Sequence, residues 1–215
     1  MGSPLTEREI ARELAPFQVV LPPEGLRKLA RYLELLAHWN RRINLTAVRE
    51  PRQMVRRLFG ESLFLSRLVE LEGRLVDVGS GAGFPGLALK LAAPRLRVTL
   101  VESRRKKCAF LKEVIRLCGF SYVAVVDDRF GAWGRRCRER GVVDIITTCA
   151  VAPGAELFEE AASLLKQGGR MVLMTTAAAG GEIRRVEKRF AWSELVRIPG
   201  ARQRGVLVGI NGAAA

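Results

Sequence analysis

The chain has 215 residues, 48% of them hydrophobic and 27% charged, which is enough for one well-cored domain and an appendage. Its 36 Lys+Arg against 22 Asp+Glu leave a net charge of +14, and no stretch approaches the roughly 18 uninterrupted apolar residues of a membrane span. Four cysteines (Cys108, Cys118, Cys137, Cys149) without CxxC spacing and one histidine, His38, argue against a zinc site and a disulfide framework.

A field of that sign favours a polyanionic partner, although a basic excess also arises from overall composition. "RRKK" (104–107), "RRCRER" (135–140) and "RRVEKR" (184–189) concentrate it, and each alone reads as a solvated helix face. The opening "MGSPLTEREIARELAPF" lacks the basic-then-apolar form of a signal peptide, so the expectation is a soluble, cytoplasmic protein.

In chain order, residues 6 to about 70 read as helical. Leu26, Leu29, Leu33, Leu36, Trp39 and Ile43 recur at three- and four-residue steps along one face. "INLTAVREP" breaks that pattern, and a shorter helical stretch runs from Met54 to Leu68. From residue 74 strands and helices alternate. The strand runs are "RLVDVG", "LRVTLVE", "YVAVVD", "VVDIITT", "RMVLMTT", "ELVRI" and "GVLVGI". Helices are expected over Arg104–Cys118, closed by Gly119, and over Ala155–Lys166, closed by "QGG". This grammar predicts an α/β fold: a mostly parallel sheet covered on both faces, with an antiparallel strand near the C-terminus and a small N-terminal helical region. The domain reading is 1–70 for the helices and 71–215 for the sheet domain.

"LVDVGSGAGFPGLAL" (75–89) carries the chemistry. It has the glycine spacing of a P-loop, but Leu87 stands where the lysine must be, so nothing would hold terminal phosphates. Gly81, Gly83 and Gly86 also match a dinucleotide fingerprint, without an obvious second lobe for a hydride acceptor. The third fit is a G-x-G-x-G turn, Gly79, Gly81 and Gly83, with Asp77 inside the preceding strand and Glu102 ending the next. That pattern resembles the class I, Rossmann-like methyltransferases. It implies S-adenosyl-L-methionine as cofactor, its ammonium met by Asp77, its ribose by Glu102 and its adenine by Asp128 to Gly131.

The resemblance narrows on "HWNRRINLTAV", "RRLFGESL", "VDVGSGAGFPGLALKLAAP" and "VESRRKKCAFLKEV". Together they resemble the RsmG (GidB) family, which methylates N7 of a guanine in bacterial 16S ribosomal RNA, over about residues 25–210. The likeness implies a Rossmann-like domain behind helices, a monomer acting on 16S rRNA or the small ribosomal subunit, and no membrane role. It implies cofactor contacts from Asp77, Gly79, Ser80, Gly81, Gly83, Phe84, Glu102, Asp128, Arg129, Phe130, Gly131 and Cys149. RNA contacts are implied for Asn44, Arg57, Arg129 and Arg204. No side chain is assigned as catalytic, since guanine N7 has a lone pair and no proton to remove.

The departures lie on the substrate side. Where the family reads Arg-His followed by Leu-Leu-Asp-Ser, this chain has Arg57, Leu58, Phe59, Gly60, Glu61 and Ser62. Ser-Arg-Ala after the fourth strand is Thr148-Cys149-Ala150, Ala-Glu is Phe130-Gly131, Lys-Gly is Thr175-Thr176, and Arg-His is Arg204-Gly205. Three readings therefore stand beside the leading one: a related enzyme with another RNA target, a pyrimidine C5 enzyme using Cys149 as nucleophile, and a binder without turnover. A dinucleotide oxidoreductase is the remotest.

Overall fold

Thr6 opens the first helix with a reciprocal cap. Its hydroxyl accepts from the Glu9 amide at 3.3 Å, and the Glu9 carboxylate takes the Thr6 amide at 2.9 Å. The computed structural model describes residues 4–137, 140–149 and 154–212. Helix α1 (Glu7–Leu14) leads to α2 (Pro23–Trp39). The apolar face expected to run through Ile43 ends at Trp39, because the buried Asn40 side chain takes over the backbone beyond it. Its Oδ1 accepts the amides of Leu45 and Thr46, both at 2.9 Å, and its Nδ2 donates to the Thr46 carbonyl at 3.0 Å. Ile43 still packs on the core, from that turn.

The second helical stretch starts at Pro51, earlier than Met54, because the Glu50 carboxylate caps it through the amides of Arg52 and Gln53. It runs as α3 (Pro51–Met54), a wide π segment (Val55–Gly60), α4 (Glu61–Leu63) and a 3₁₀ turn (Phe64–Arg67). The Phe17 ring fills the space that a Cβ on Gly60 would take, so the segment passes close to the end of α1.

The alternating half comprises β1 (Arg74–Val78), α5 (Gly86–Ala92), β2 (Arg97–Glu102), α6 (Arg105–Leu117) and β3 (Val123–Asp127). It continues through α7 (Phe130–Arg136), β4 (Val143–Cys149), α8 (Ala155–Leu164), β5 (Leu165–Thr176), α9 (Ala177–Val186), β6 (Phe190–Trp192), β7 (Val196–Arg197) and β8 (Arg204–Asn211). The strand order is β3-β2-β1-β4-β5-β8-β6, with β7 also on β8; β1 to β5 pair in parallel, and β8 is antiparallel to its neighbours. This is the α/β sheet expected, antiparallel strand included.

Local differences have local causes. Helix α8 stops at Leu164 rather than Lys166, since Gly168 at φ 74° lets "KQGG" join β5 with a jump in its register against β4. The three-residue β6 was not legible, and "ELVRI" shrinks to a two-residue strand. No helix among the described residues is long and apolar enough to cross a membrane.

Alternate strand residues face opposite cores, as the pleat requires. Leu75, Leu100, Ile145 and Val206 join Tyr32, Phe59, Leu87 and Phe110 on the face that α2, α5, α6 and the N-terminal helices cover. Val76, Val78, Ile146 and Leu207 join Leu157, Phe158 and Ile183 on the other. Helix α5 lies so close on β1 that a Cβ on Gly86 would fall 2.8 Å from Leu100 Cδ2 and 2.9 Å from Asp77 Oδ2. Gly86→Ala is therefore expected to destabilise the fold by about 1–3 kcal/mol. That corresponds to about 3–10 °C in melting temperature for a chain of this size. Differential scanning calorimetry checks it, and an unchanged transition would show that the contact relaxes freely.

Candidate active site

The register brings the candidate residues to one edge. Gly79 follows β1, Glu102 ends β2, Asp128 follows β3, Cys149 ends β4, Thr176 ends β5, and Arg204, paired with Thr176, begins β8. In an open parallel sheet the carboxyl ends of the strands are where ligands bind.

The glycine turn is held from below. Asp77 is fully buried; Thr147 Oγ1 donates to its Oδ1 at 2.8 Å and the Gly86 amide to its Oδ2 at 3.1 Å. Burial pushes its carboxyl up to about 6, with the bonds from Thr147, Gly86 and Ser80 pulling the other way. Each oxygen of this carboxylate, expected to face the cofactor's ammonium, thus holds one protein donor. Ser80 Oγ donates to the Asp77 carbonyl at 2.8 Å. Gly79, Gly81 and Gly83 have φ of 68°, 59° and 89°, a region that glycine alone enters without strain.

The turn has an open side and a packed side. A Cβ on Gly81 would meet nothing closer than the Gly79 carbonyl at 3.7 Å, which leaves room for a ligand. A Cβ on Gly83 would strike Leu87 Cδ1 at 2.8 Å. From the packed side Tyr32 donates its hydroxyl to the Ala82 carbonyl, stacks on Phe84 at 5.6 Å and meets Phe59 edge-on at 5.0 Å. The N-terminal helices thus brace the turn, a role nothing in the sequence marked for Tyr32.

Glu102 accepts the Gly81 amide at 2.9 Å through Oε2 and the Arg104 amide at 2.8 Å through Oε1. Asp128 takes the Arg129 amide at 2.8 Å and pairs with Arg136, whose hydrogen bond holds its carboxyl below the usual range. Phe130 is buried against Trp133, and a Cβ on Gly131 would collide with the Glu156 carboxylate. Burial first, then the Asp77 charge, pushes the Cys149 thiol up to about 11, with Arg204 opposing and Glu61 adding to it. Ala150, which follows, lies outside the described residues.

A cleft of about 870 Å³ adjoins this edge, lined by Arg56, Arg57, Glu61, Thr176, Arg202 and Arg204 among others. Arg204 bonds Glu61 Oε1 at 2.6 Å. The expected RNA residues Arg57 and Arg204 therefore share one wall, whereas Asn44 lies exposed on the turn that Asn40 organises. Sequence reasoning missed Asn40, Thr147 and Arg202, and noted Glu61 only as a departure. Of the basic clusters, Arg135 pairs with Glu156, Arg136 with Asp128, Arg184 with Glu194 and Arg189 with Glu187, in keeping with solvated faces. Arg138 lies outside the described residues. "RRKK" instead begins α6, where its cations oppose the helix dipole.

A family model described as rRNA small subunit methyltransferase G matches residues 25–204. Ribosomal RNA small subunit methyltransferase G of Chloroflexus aggregans is 36% identical over 211 residues, covering 94% of this chain and 89% of that protein. The protein of the same name from Xylella fastidiosa (strain M23) is 42% identical over 155 residues, 72% of this chain and 71% of its own length. Among solved structures, a SAM-dependent methyltransferase from Aquifex aeolicus superposes with a TM-score of 0.60 at 14% identity, covering 75% of this chain and 94% of that one. An rRNA methylase from Streptococcus thermophilus does so at 0.55 and 16%, covering 70% and 93%. Both structural likenesses establish the fold.

Asp77 makes the site's pH dependence testable. Its folded value of about 6 exceeds the ordinary 3.8, so its contribution is fully present below about pH 4 and is lost as pH rises through 6. Asp77→Asn lacks this dependence. The stability of wild type relative to the variant is expected to rise from pH 7.5 to pH 4, by up to about 3 kcal/mol, in urea titrations. A pH-independent gap would contradict the assignment.

Proposed function

The chain belongs to the rRNA small subunit methyltransferase G family, and from that premise we propose that its site methylates N7 of a guanine in bacterial 16S rRNA. It is an S-adenosylmethionine-dependent rRNA methyltransferase. What supports the finer reading is the placement, along one edge, of a positive-φ glycine turn with an open face, a carboxylate one strand away and a cleft rich in arginine.

Those residues fit the cofactor. Glu102 keeps a lone pair on each oxygen beyond its bonds to Gly81 and Arg104, which suits the two ribose hydroxyls. Asp128 to Gly131 would border the adenine, and Gly79, Ser80, Gly81, Gly83 and Phe84 would form the turn beneath the amino-acid end. Asp77 acts through that turn, by fixing Gly86 and Thr147. Cys149 would stand beside the methyl, and Asn44, Arg57, Arg129 and Arg204 would hold RNA.

S-adenosylmethionine supplies a methyl group already activated on a sulfonium, and the guanine N7 lone pair can attack it with no base. The protein's tasks are then to align two reactants and hold a polyanion, which arginine's planar fork suits. The C5 reading is disfavoured by the Cys149 thiol, held protonated at neutral pH.

Wild-type protein with radiolabelled S-adenosylmethionine and 30S subunits from a strain lacking this gene is expected to yield 7-methylguanosine. Glu102→Ala should weaken cofactor binding about tenfold or more in calorimetry. Cys149→Ala should keep turnover within about threefold, since no step uses the thiolate. Complete loss in that variant would favour a C5 enzyme. Cofactor binding without methyl incorporation on naked or assembled RNA would favour a binder.

A further inference from the structure

Glu61 combines features that a purely structural residue does not need. It sits in α4 with its side chain 5% exposed, yet it lines the arginine cleft beside the carboxyl ends of the strands. One oxygen accepts from Arg204 at 2.6 Å, while Oε2 is shielded from solvent and has no hydrogen-bond partner. An unpartnered carboxylate oxygen in such a place is costly, and it persists where something else engages it. Burial raises its carboxyl, against the pull of Arg204 and then Arg57. Thr176, ending β5, and Arg204, beginning β8, line the same cleft, so this carboxylate lies close to the edge where methyl transfer would occur.

The chemistry of the proposed reaction says what donor the oxygen awaits. Adenine also carries a lone pair on N7, so an N7 enzyme must tell the purines apart. It cannot do so with an arginine fork on N7 and O6, the usual grip on guanine, because N7 must face the methyl. The remaining signature is the Watson–Crick edge, where guanine offers N1–H and an N2 amino group and adenine offers an acceptor at N1. Enzymes that splay out a base read that edge. A carboxylate with one oxygen free and a spare lone pair on the other complements guanine there and repels adenine.

We propose that Glu61 is the specificity-determining residue for the methyl acceptor, accepting hydrogen bonds from N1–H and N2–H of the target guanine at the floor of the arginine cleft. The proposal rests on the N7-methyltransferase reading above. Arg204 orients the carboxylate through Oε1; at 35% exposure its side chain has room to give way as the base edge enters. Arg57 and Arg202, on the cleft wall, would take the flanking phosphates.

The test compares wild type, Glu61→Gln and Glu61→Asp on 30S subunits lacking the modification, reading kcat/KM, nucleoside identity, cofactor Kd and melting temperature. Glu61→Gln keeps the shape but sets a donor against guanine's donors. Its kcat/KM is expected to fall about ten- to hundredfold, the discrimination carried by one bidentate base contact. Cofactor Kd should stay within twofold and the melting temperature should shift by no more than a few degrees, since the amide oxygen of Gln can still accept from the part-exposed Arg204. Glu61→Asp, which keeps the charge, should recover part of the rate. A residue that only braces the fold would instead lose stability and rate together, and that result overturns the proposal, as does unchanged turnover in Glu61→Gln. If the wild type forms no 7-methylguanosine, the N7 reading fails and the proposal with it. Equal 7-methylguanosine from wild type and Glu61→Gln overturns the proposal alone.

Discussion

The Asp77 carboxylate is the constraint from which the site is built. It is fully buried in the central strand of the parallel half, and its oxygens join the glycine turn to the start of α5 and to β4. Each of its partners is fixed by something else. Gly86 must lack a side chain for α5 to approach, and Thr147 lies opposite Asp77 in the β1–β4 register. The turn above is then shaped by three positive-φ glycines and braced by Tyr32 from the N-terminal helices. Glu102 ties the turn's open side to the next strand through the Gly81 amide. The N-terminal helices accordingly belong to the site's machinery, since their buried residues share one apolar cluster with β1, α5 and α6.

The positive charge is distributed in two ways. Much of it on α3, the π segment, α7 and α9 is compensated locally: Glu13 is buried between Arg52 and Arg56, Glu156 and Glu160 on α8 pair with Arg135 and Arg140, and Glu194 pairs with Arg184. Exposed pairs such as Arg135–Glu156 contribute little to stability, typically about 0–1 kcal/mol each, so they report on surface composition more than on function. The cations at the start of α6 are different, because their positions oppose the helix dipole, and Arg57 and Arg202 gather in one cleft. Three cations in the first turn of α6 work against a dipole that prefers anions there. An incoming phosphate or carboxylate would relieve that conflict, and both places flank the carboxyl edge of the sheet.

The architecture and the glycine turn were legible because each depends on local pattern. Strand runs bounded by turn residues gave seven of the strands, and the spacing of Asp77, Gly79, Gly81, Gly83 and Glu102 set the turn. What escaped depends on long-range packing. Strand β6 is three residues long and exists only because β8 offers it an edge. Tyr32, Thr147 and Asn40 read as ordinary core, strand and turn residues until the fold supplies Ala82, Asp77 and the Leu45–Val48 loop as partners. Glu61 registered only as a change of residue, and its significance depends on a burial and an ion pair 143 positions away.

Among the described residues, two carboxylates have pKa values raised chiefly by burial, Asp77 and Glu61. Most carboxylates with a resolved shift among the described residues move the other way, Glu9 held down first by its bonds to Thr6, and Glu24, Asp128 and Asp144 by arginine or lysine partners. Burying a carboxylate with incomplete compensation lowers stability, so a sequence selected for folding alone would replace it with an apolar residue of similar size. Asp77 offsets that cost by organising the turn with both of its oxygens. Glu61 has no such internal offset on Oε2, since its one hydrogen bond leaves half the carboxylate unmatched in a cleft lined by arginines. The conflict between folding and local polarity therefore falls where an RNA base would enter, and the base itself can resolve it.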